Sequence, residues 1–272
     1  MKRIISSFYF YYLNRFPFNR GKNFIARLLT KIFGSFVVKT KEGNSIEIFL
    51  DSQMDCSYFD LRFQINNLIL AEINNLKKTE NFLDIGANIG YYSLIASKKI
   101  GNSGRVYSFE PSSREFRRLL KNIELNNCEN IIPTNIALSD SNCEIDFSIA
   151  KGHTGLNSII IEDMSIKKIS QVVKTMSLDN FFNSENKKFN LVKIDVEGAE
   201  LLVLKGMKSI LKDRRVRKII IEITPRFFRC FGYKKEDIYS YLCSYDFEPL
   251  FNNDLEQYDE LFVLNSSSNQ SF

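Results

Sequence analysis

The stretch NFLDIGANIGYYSLIA, residues 81–96, limits what this chain can fold into more than any other part of it. A short apolar run ends at Asp84, small residues follow from Gly86 to Gly90, and a helix-like run extends from Tyr91 to Lys99. Strand, tight turn and helix in that order open a nucleotide-binding α/β sheet. Glycine reaches backbone angles closed to other residues and puts no side chain between the loop and a ligand. The spacing then separates the ligands. A dinucleotide fingerprint needs G-x-G-x-x-G, whereas counting from Gly86 gives Ala87, Asn88, Ile89, Gly90 and then Tyr91. With Asp84 two places ahead, this suits S-adenosylmethionine better than NAD. The competing reading is a turn that only shapes the backbone.

Two more strand ends carry acids. Residues 105–109 read as a second strand ending at Glu110, which follows Gly86 by 24 residues. Adenosine-binding folds place there the carboxylate that meets the ribose, and one carboxylate can accept from both ribose hydroxyls. Residues 191–194 form an apolar strand ended by Asp195-Val196-Glu197-Gly198, with a helix from Ala199. Ligands of open α/β sheets lie outside the carboxyl ends of the strands, so Asp195 and Glu197 share a rim with Asp84, Gly86 and Glu110. Alternation along an extended chain puts Asp195 and Glu197 on one side, with Lys193 before them.

The rest of the chain fits one α/β unit. Strands are expected at 45–50, 130–138 and 218–223, with Glu222 near the end of the last, and helices at 58–77 and 236–244. Ser112 opens a helix to Asn126 with Glu115 as its capping-box partner. Runs 144–149 and 172–176 flank a hairpin-like insertion that contains His153, Thr154 and Asn157. Runs 247–251 and 260–264 read as closing strands. The alternation of strands and helices predicts one mainly parallel sheet with helices on both faces. Residues 1–44 read as a basic, aromatic, helical extension, 45–265 as the domain with its insertion at about 143–176, and 266–272 as a polar tail.

Charge is unevenly spread. Residues 1–41 hold nine Lys or Arg and no acid, which leaves 28 basic against 32 acidic residues in the remainder. The apolar runs of that segment are too short and too interrupted for a membrane span, and no small-residue cleavage site marks a signal peptide. Interleaved basic and aromatic residues suit an anionic membrane surface; a solvated helical extension packed on the domain is the plainer reading. Nucleic acid is disfavoured because the domain itself is net acidic. Five scattered cysteines without a C-x-x-C pair argue against disulfides and zinc and for a reducing compartment. A single histidine excludes a multi-histidine metal site.

With these residues in view, the chain resembles the FkbM family of S-adenosylmethionine-dependent methyltransferases. The matching segments are FLDIGANIGYYSL, VYSFEPS, NIALSD, TMSLDNFF, LVKIDVEGAE and IIIEI, over roughly residues 80–225. The resemblance implies a class I methyltransferase fold, a Rossmann-like three-layer sandwich whose seven-stranded sheet has an antiparallel last strand. It implies O-methylation of sugar or natural-product hydroxyls, often in glycan biosynthesis. It assigns Asp84, Gly86, Ala87, Asn88 and Gly90 to the cofactor loop and Glu110 to the ribose. Asn135, Ala137 and Ser139-Asp140 fall at the adenine edge, and Asp195, Glu197 and Glu200 on the acidic motif.

Asp195 is expected beside the sulfonium, with Asp195 or Glu197 accepting the hydroxyl proton and His153 as the rival base. Asp195 and Glu197 alone lack further acidic ligands at suitable spacing, so no metal is expected. The acceptor is expected to be a sugar, glycan or glycolipid, and the location cytoplasmic, at the inner face of a membrane if the acceptor is lipid-linked. The rivals are a non-catalytic adenosyl-binding module and an NAD-dependent oxidoreductase. A nucleic-acid amino-methyltransferase would want an Asn- or Asp-Pro-Pro-aromatic run where this chain has Asp195-Val196-Glu197-Gly198.

Overall fold

The computed structural model describes residues 2, 4, 5, 8, 9, 11, 22–52, 55, 56, 67–150, 168–183 and 185–265. Helix α1 (Lys22–Phe33) precedes a hairpin of β1 (Phe36–Lys39) and β2 (Ser45–Ile48). Helix α2 (Asn67–Asn75) leads into β3 (Asn81–Ile85), α3 (Tyr91–Ile100), β4 (Arg105–Phe109), α4 (Ser113–Leu125) and β5 (Ile131–Thr134). Next come β6 (Ala137–Leu138), β7 (Glu144–Ala150), β8 (Lys168–Met176), the short α5 (Leu178–Phe181) and β9 (Leu191–Ile194). The chain continues through α6 (Glu200–Lys205), α7 (Lys208–Lys212), β10 (Lys218–Ile223) and α8 (Pro225–Phe228) to a 3₁₀ turn at Arg229–Phe231. Helix α9 (Lys235–Cys243), β11 (Phe247–Pro249) and β12 (Tyr258–Leu264) complete it.

Seven strands form one sheet in the order β11-β12-β10-β9-β3-β4-β5. From β10 across to β5 every pair is parallel, and β12 alone runs against its neighbours β10 and β11. The central strands are apolar on both faces, as a sheet covered on both sides requires. Alternation sends Leu83, Ile85, Val192, Ile194, Ile219 and Ile221 into one cluster, with α6, α7 and α9. Phe82, Val106, Leu191 and Ile220 point the other way, into a second cluster with α3 and the β1–β2 hairpin. The chain reverses strand order next to β3, so the carboxyl ends of β3, β4, β9 and β10 meet at one rim.

Several elements depart from the sequence reading. The strand expected at 130–138 is split: β5 ends at Thr134, and β6 pairs with β8 in a separate three-stranded sheet. Strand β8 begins at Lys168, earlier than expected, and pairs antiparallel with β7. Helix α2 covers only the later part of the expected 58–77 helix, of which 57–66 lie outside the described residues. The capping box at α4 does not form: the Ser112 hydroxyl donates to the Glu115 carboxylate, so that carboxylate is satisfied without the Ser112 amide, which donates to Glu110 instead.

Candidate active site

The loop after β3 is held by its neighbours. Gly86, Asn88 and Gly90 all take left-handed backbone angles, φ 78°, 51° and 87°. The Gly86 and Ala87 amides both donate to the Phe109 carbonyl at the end of β4, at 3.0 and 2.9 Å. A Cβ on Gly86 would stand 1.8 Å from the Asp195 carbonyl oxygen, and one on Gly90 would stand 2.4 Å from Leu119. These glycines therefore make room for the end of β9 and for α4. At these two positions the missing side chain serves an internal close approach, and the loop is tight because three elements converge on it.

Glu110 closes the loop from the side. It is only 5% exposed. Its two carboxylate oxygens accept the Asn88 amide at 2.8 Å and the Ser112 amide at 2.9 Å. Burial pushes its carboxyl up to about 8, against the pull of those two amides, and the neighbouring Glu115 adds to the rise. A carboxylate has about four lone-pair sites, so a fixed Glu110 keeps acceptor capacity for a pair of hydroxyls. That acceptor pair fits the ribose hydroxyls of an adenosyl group. Asn135 sits beside it but faces the backbone, donating to the carbonyls of Glu110 and Pro111 at 2.8 and 3.0 Å. Ala137 is buried with Phe147 and Val173 in a small separate cluster. The Ser139 hydroxyl turns to the Asp140 carboxylate at 3.3 Å.

Behind the loop, Lys193 ties two strand ends together. Its buried ammonium lies 3.2 Å from Asp195 and 3.5 Å from Asp84, and donates to the Gly86 carbonyl at 3.2 Å. Burial works against its charge, but the Asp195 and Asp84 carboxylates outweigh it and hold the ammonium firmly protonated. Asp84 is wholly buried and accepts the Ser93 hydroxyl at 2.5 Å. Asp84 thus braces the loop from below, whereas the Asp195 side chain remains 35% exposed at the rim.

The rim beyond Asp195 is crowded with acids. Carboxylate oxygens of Asp195, Glu197 and Glu222 lie within 4.8 Å of one another. Asp195 and Glu197 do not meet by strand alternation, because β9 ends at Ile194 and Glu197 is left-handed at φ 55°. A tight turn brings them together instead. Burial, then the charges of Asp195 and Glu200, raises the Glu197 carboxyl well above its usual range. Glu222 is raised in the same way by burial, Asp195 and Glu197, although the Gln257 amide donates to it at 2.7 Å. Asp259 faces Glu222 across the β10–β12 ladder, and burial next to Asp195 pushes it to about 7.

Glu200 builds the turn. It accepts the amides of Val196 and Gly198 at 3.1 and 3.2 Å, and burial still pushes it to about 7. The Tyr233 hydroxyl donates to the Gly198 carbonyl at 2.6 Å from the other side. Glu222, expected near the end of its strand, and Asp259, which the sequence reading did not single out, complete the acidic array. Strand register is the signal that finds them. The spacing of Asp195 and Glu197 offered no third metal ligand; Glu222 on the neighbouring strand supplies one in position. His153 lies outside the described residues.

Seven strands in this order with only β12 reversed, and a glycine loop meeting a buried acid on the next strand, define a class I methyltransferase fold. Residues 84–249, more than half of the chain, match the Methyltransferase FkbM domain. The chain belongs to the FkbM methyltransferase family. It is 34% identical over 166 residues to the hexuronic acid methyltransferase AglP of Haloferax volcanii, a match covering 60% of this chain and 64% of AglP. The chain thus spans less than two thirds of that relative. It is 27% identical to Methyltransferase 1 of Beauveria bassiana over 46% of this chain and 57% of that one. Among solved structures, an S-adenosylmethionine-dependent methyltransferase from Aquifex aeolicus overlaps at a TM-score of 0.45 with 10% identity, covering 79% of this chain and 95% of that one. Aeropyrum pernix fibrillarin with bound S-adenosyl-L-methionine overlaps at 0.43 with 17% identity, covering 85% and 94%. The fold assignment rests on the strand order itself.

Proposed function

We propose that this protein is an S-adenosylmethionine-dependent O-methyltransferase acting on a hydroxyl of a sugar or glycan. The observation that carries the reading is the half-exposed Asp195 carboxylate at the end of β9, backed by Glu197 and Glu222 and set beside the Glu110 loop. Bound S-adenosylmethionine supplies a methyl group on a sulfonium centre with a neutral thioether as leaving group. Glu110 would hold the ribose hydroxyls, and Asp84 and Lys193 would keep the loop and Asp195 in place. A sugar hydroxyl is a weak nucleophile, so a base at the reacting oxygen speeds the transfer. The proton of the acceptor hydroxyl would pass to Asp195 or Glu197 at the rim. Burial and the charges of Asp195 and Glu200 raise the Glu197 carboxyl, so once ionised it would bind that proton more firmly than an ordinary carboxylate does. His153 is the alternative base.

The sugar class draws support from the family relative that acts on a hexuronic acid. A lipid-linked saccharide, met at the inner face of a cytoplasmic membrane, is the form of acceptor we favour. We read the acidic array as a proton acceptor rather than a metal site, because the Lys193 ammonium already supplies the positive charge next to Asp195. Activity should therefore survive EDTA. The test of the cofactor assignment needs no acceptor. Calorimetric titration should show S-adenosylmethionine and S-adenosylhomocysteine binding and NAD not binding; binding of NAD alone would overturn it. Labelled methyl transfer to a panel of uronic acids and neutral sugars then tests the acceptor class, and transfer to protein or nucleic acid alone would overturn it.

A further inference from the structure

The basic segment at the start of the chain turns apolar side chains outward. In α1, Phe24 is 71% exposed, and Leu28 and Ile32 are exposed with it. They stand at i, i+4 and i+8, and the exposed Arg27 and Lys31 stand at i+3 and i+7 on the same face. A surface helix usually sets such a stripe against its core. Here the core takes the opposite face: Ala26 is buried, and Leu29 and Phe33 pack on the same cluster. The pattern repeats at Ile4, Phe8 and Tyr11, spaced i, i+4, i+7, with Ile4 75% and Phe8 71% exposed while Tyr9 is buried between them. With Ile25 and Val37, eight large apolar side chains among the described residues are exposed within a segment of nine basic and no acidic residues. Neither Arg27 nor Lys31 forms an ion pair among the described residues.

We propose that this face seats the protein on an anionic lipid surface, with α1 lying in the plane of the headgroups. The chemistry of the face selects that occupant. Its stripe of Phe24, Leu28 and Ile32 wants the acyl boundary, and the flanking Arg27 and Lys31 want phosphate groups, as interfacial helices do. A nucleic acid would satisfy the charges and leave the apolar stripe in water. A second copy of the chain would cover the stripe and press like charges together. Among the described residues no helix is long and apolar enough to cross a membrane, so this is seating on the surface. The inference stands independently of methyl transfer.

The full chain should co-sediment with vesicles of phosphatidylcholine mixed with phosphatidylglycerol and partition far less onto phosphatidylcholine alone. Arg27→Glu with Lys31→Glu should lower that partition by at least about thirty-fold, the loss of two basic contacts at about 1 kcal/mol each. Phe24→Ser, Leu28→Ser and Ile32→Ser together should abolish it. Circular dichroism and thermal melting of the same preparations report that each variant is folded, and should the triple serine variant fail this check, the charge variant carries the test. Equal partition onto both vesicles, or an unchanged partition of the charge variant, would overturn the proposal. A dimer that dissociates with the serine substitutions, without vesicle binding, would assign the face to a second copy instead. Vesicle binding and cofactor binding are read separately, so failure of one leaves the other standing.

Discussion

Single side chains decide the chemistry of this rim. Removing the Glu110 carboxylate takes away the acceptors proposed for the ribose and leaves the Asn88 and Ser112 amides without their partner. Hydrogen bonds to a charged group contribute about 1.5–3 kcal/mol, so Glu110→Ala should weaken S-adenosylmethionine about ten- to hundredfold by calorimetry. Asp195→Asn should act differently. It keeps the shape and removes the base, so turnover should fall about 10²–10⁴-fold while cofactor affinity stays nearly constant. Loss of affinity in step with turnover would make Asp195 a binding residue only. Glu110 was legible in the sequence because its distance from Gly86 is set by one strand–helix–strand unit. Glu222 was legible as an acid near the end of its strand, but its meeting with Asp195 was not, nor was Asp259, because that proximity comes from the sheet order and from register across an antiparallel pair.

At the scale of elements, the rim depends on how strand ends are tied. Lys193 joins β9 to β3 by bridging Asp195 and Asp84, and it lies 5.7 Å from the centre of the Tyr92 ring on α3. Breaking a buried ion pair by deleting one partner leaves an uncompensated charge, at a cost of about 3–5 kcal/mol. Lys193→Met should therefore lower the denaturant midpoint strongly, and a change within about 0.5 kcal/mol, typical of surface sites, would show the bridge to be dispensable. The parallel strands were readable because each is a short apolar run closed by an acid or a turn. The break between β5 and β6 falls at the Pro133-Thr134-Asn135 interruption, inside a stretch that reads as one strand. In the structure β5 is the sheet edge, where Pro133 is tolerated without an amide proton, and the chain then leaves to pair with β8. No residue spacing marks that change of partner.

The whole molecule stores protons at its rim. Burial raises Glu110 to about 8 and Glu200 and Asp259 to about 7, and Glu197 and Glu222 rise with them. The unfolded chain releases these protons near the ordinary values of 4.5 for Glu and 3.8 for Asp. Between those values and about 8 the folded state binds more protons than the unfolded one, so stability falls as pH rises through that window. Lys193, raised in the folded state, contributes stability that is fully present throughout that window, since it is lost only above 10.5. Glu47 acts at the acid end. Its burial is outweighed by hydrogen bonds from Lys121 and Ser35, so its contribution is lost as pH falls below 4.5. Thermal melts of the free protein should therefore peak in mildly acid buffer and decline toward pH 8. Hydroxyls donating to Glu110 favour its ionised form, so S-adenosylmethionine should bind with proton release and more tightly as pH approaches 8. Calorimetry in buffers of different ionisation enthalpy reads that release directly. Glu110→Gln should remove it and flatten the affinity profile while the acidic array keeps most of the stability slope. A wild-type melting profile flat across this window would show that the rim acids are ionised in the folded protein, and the charge logic proposed for the site would have to be redrawn.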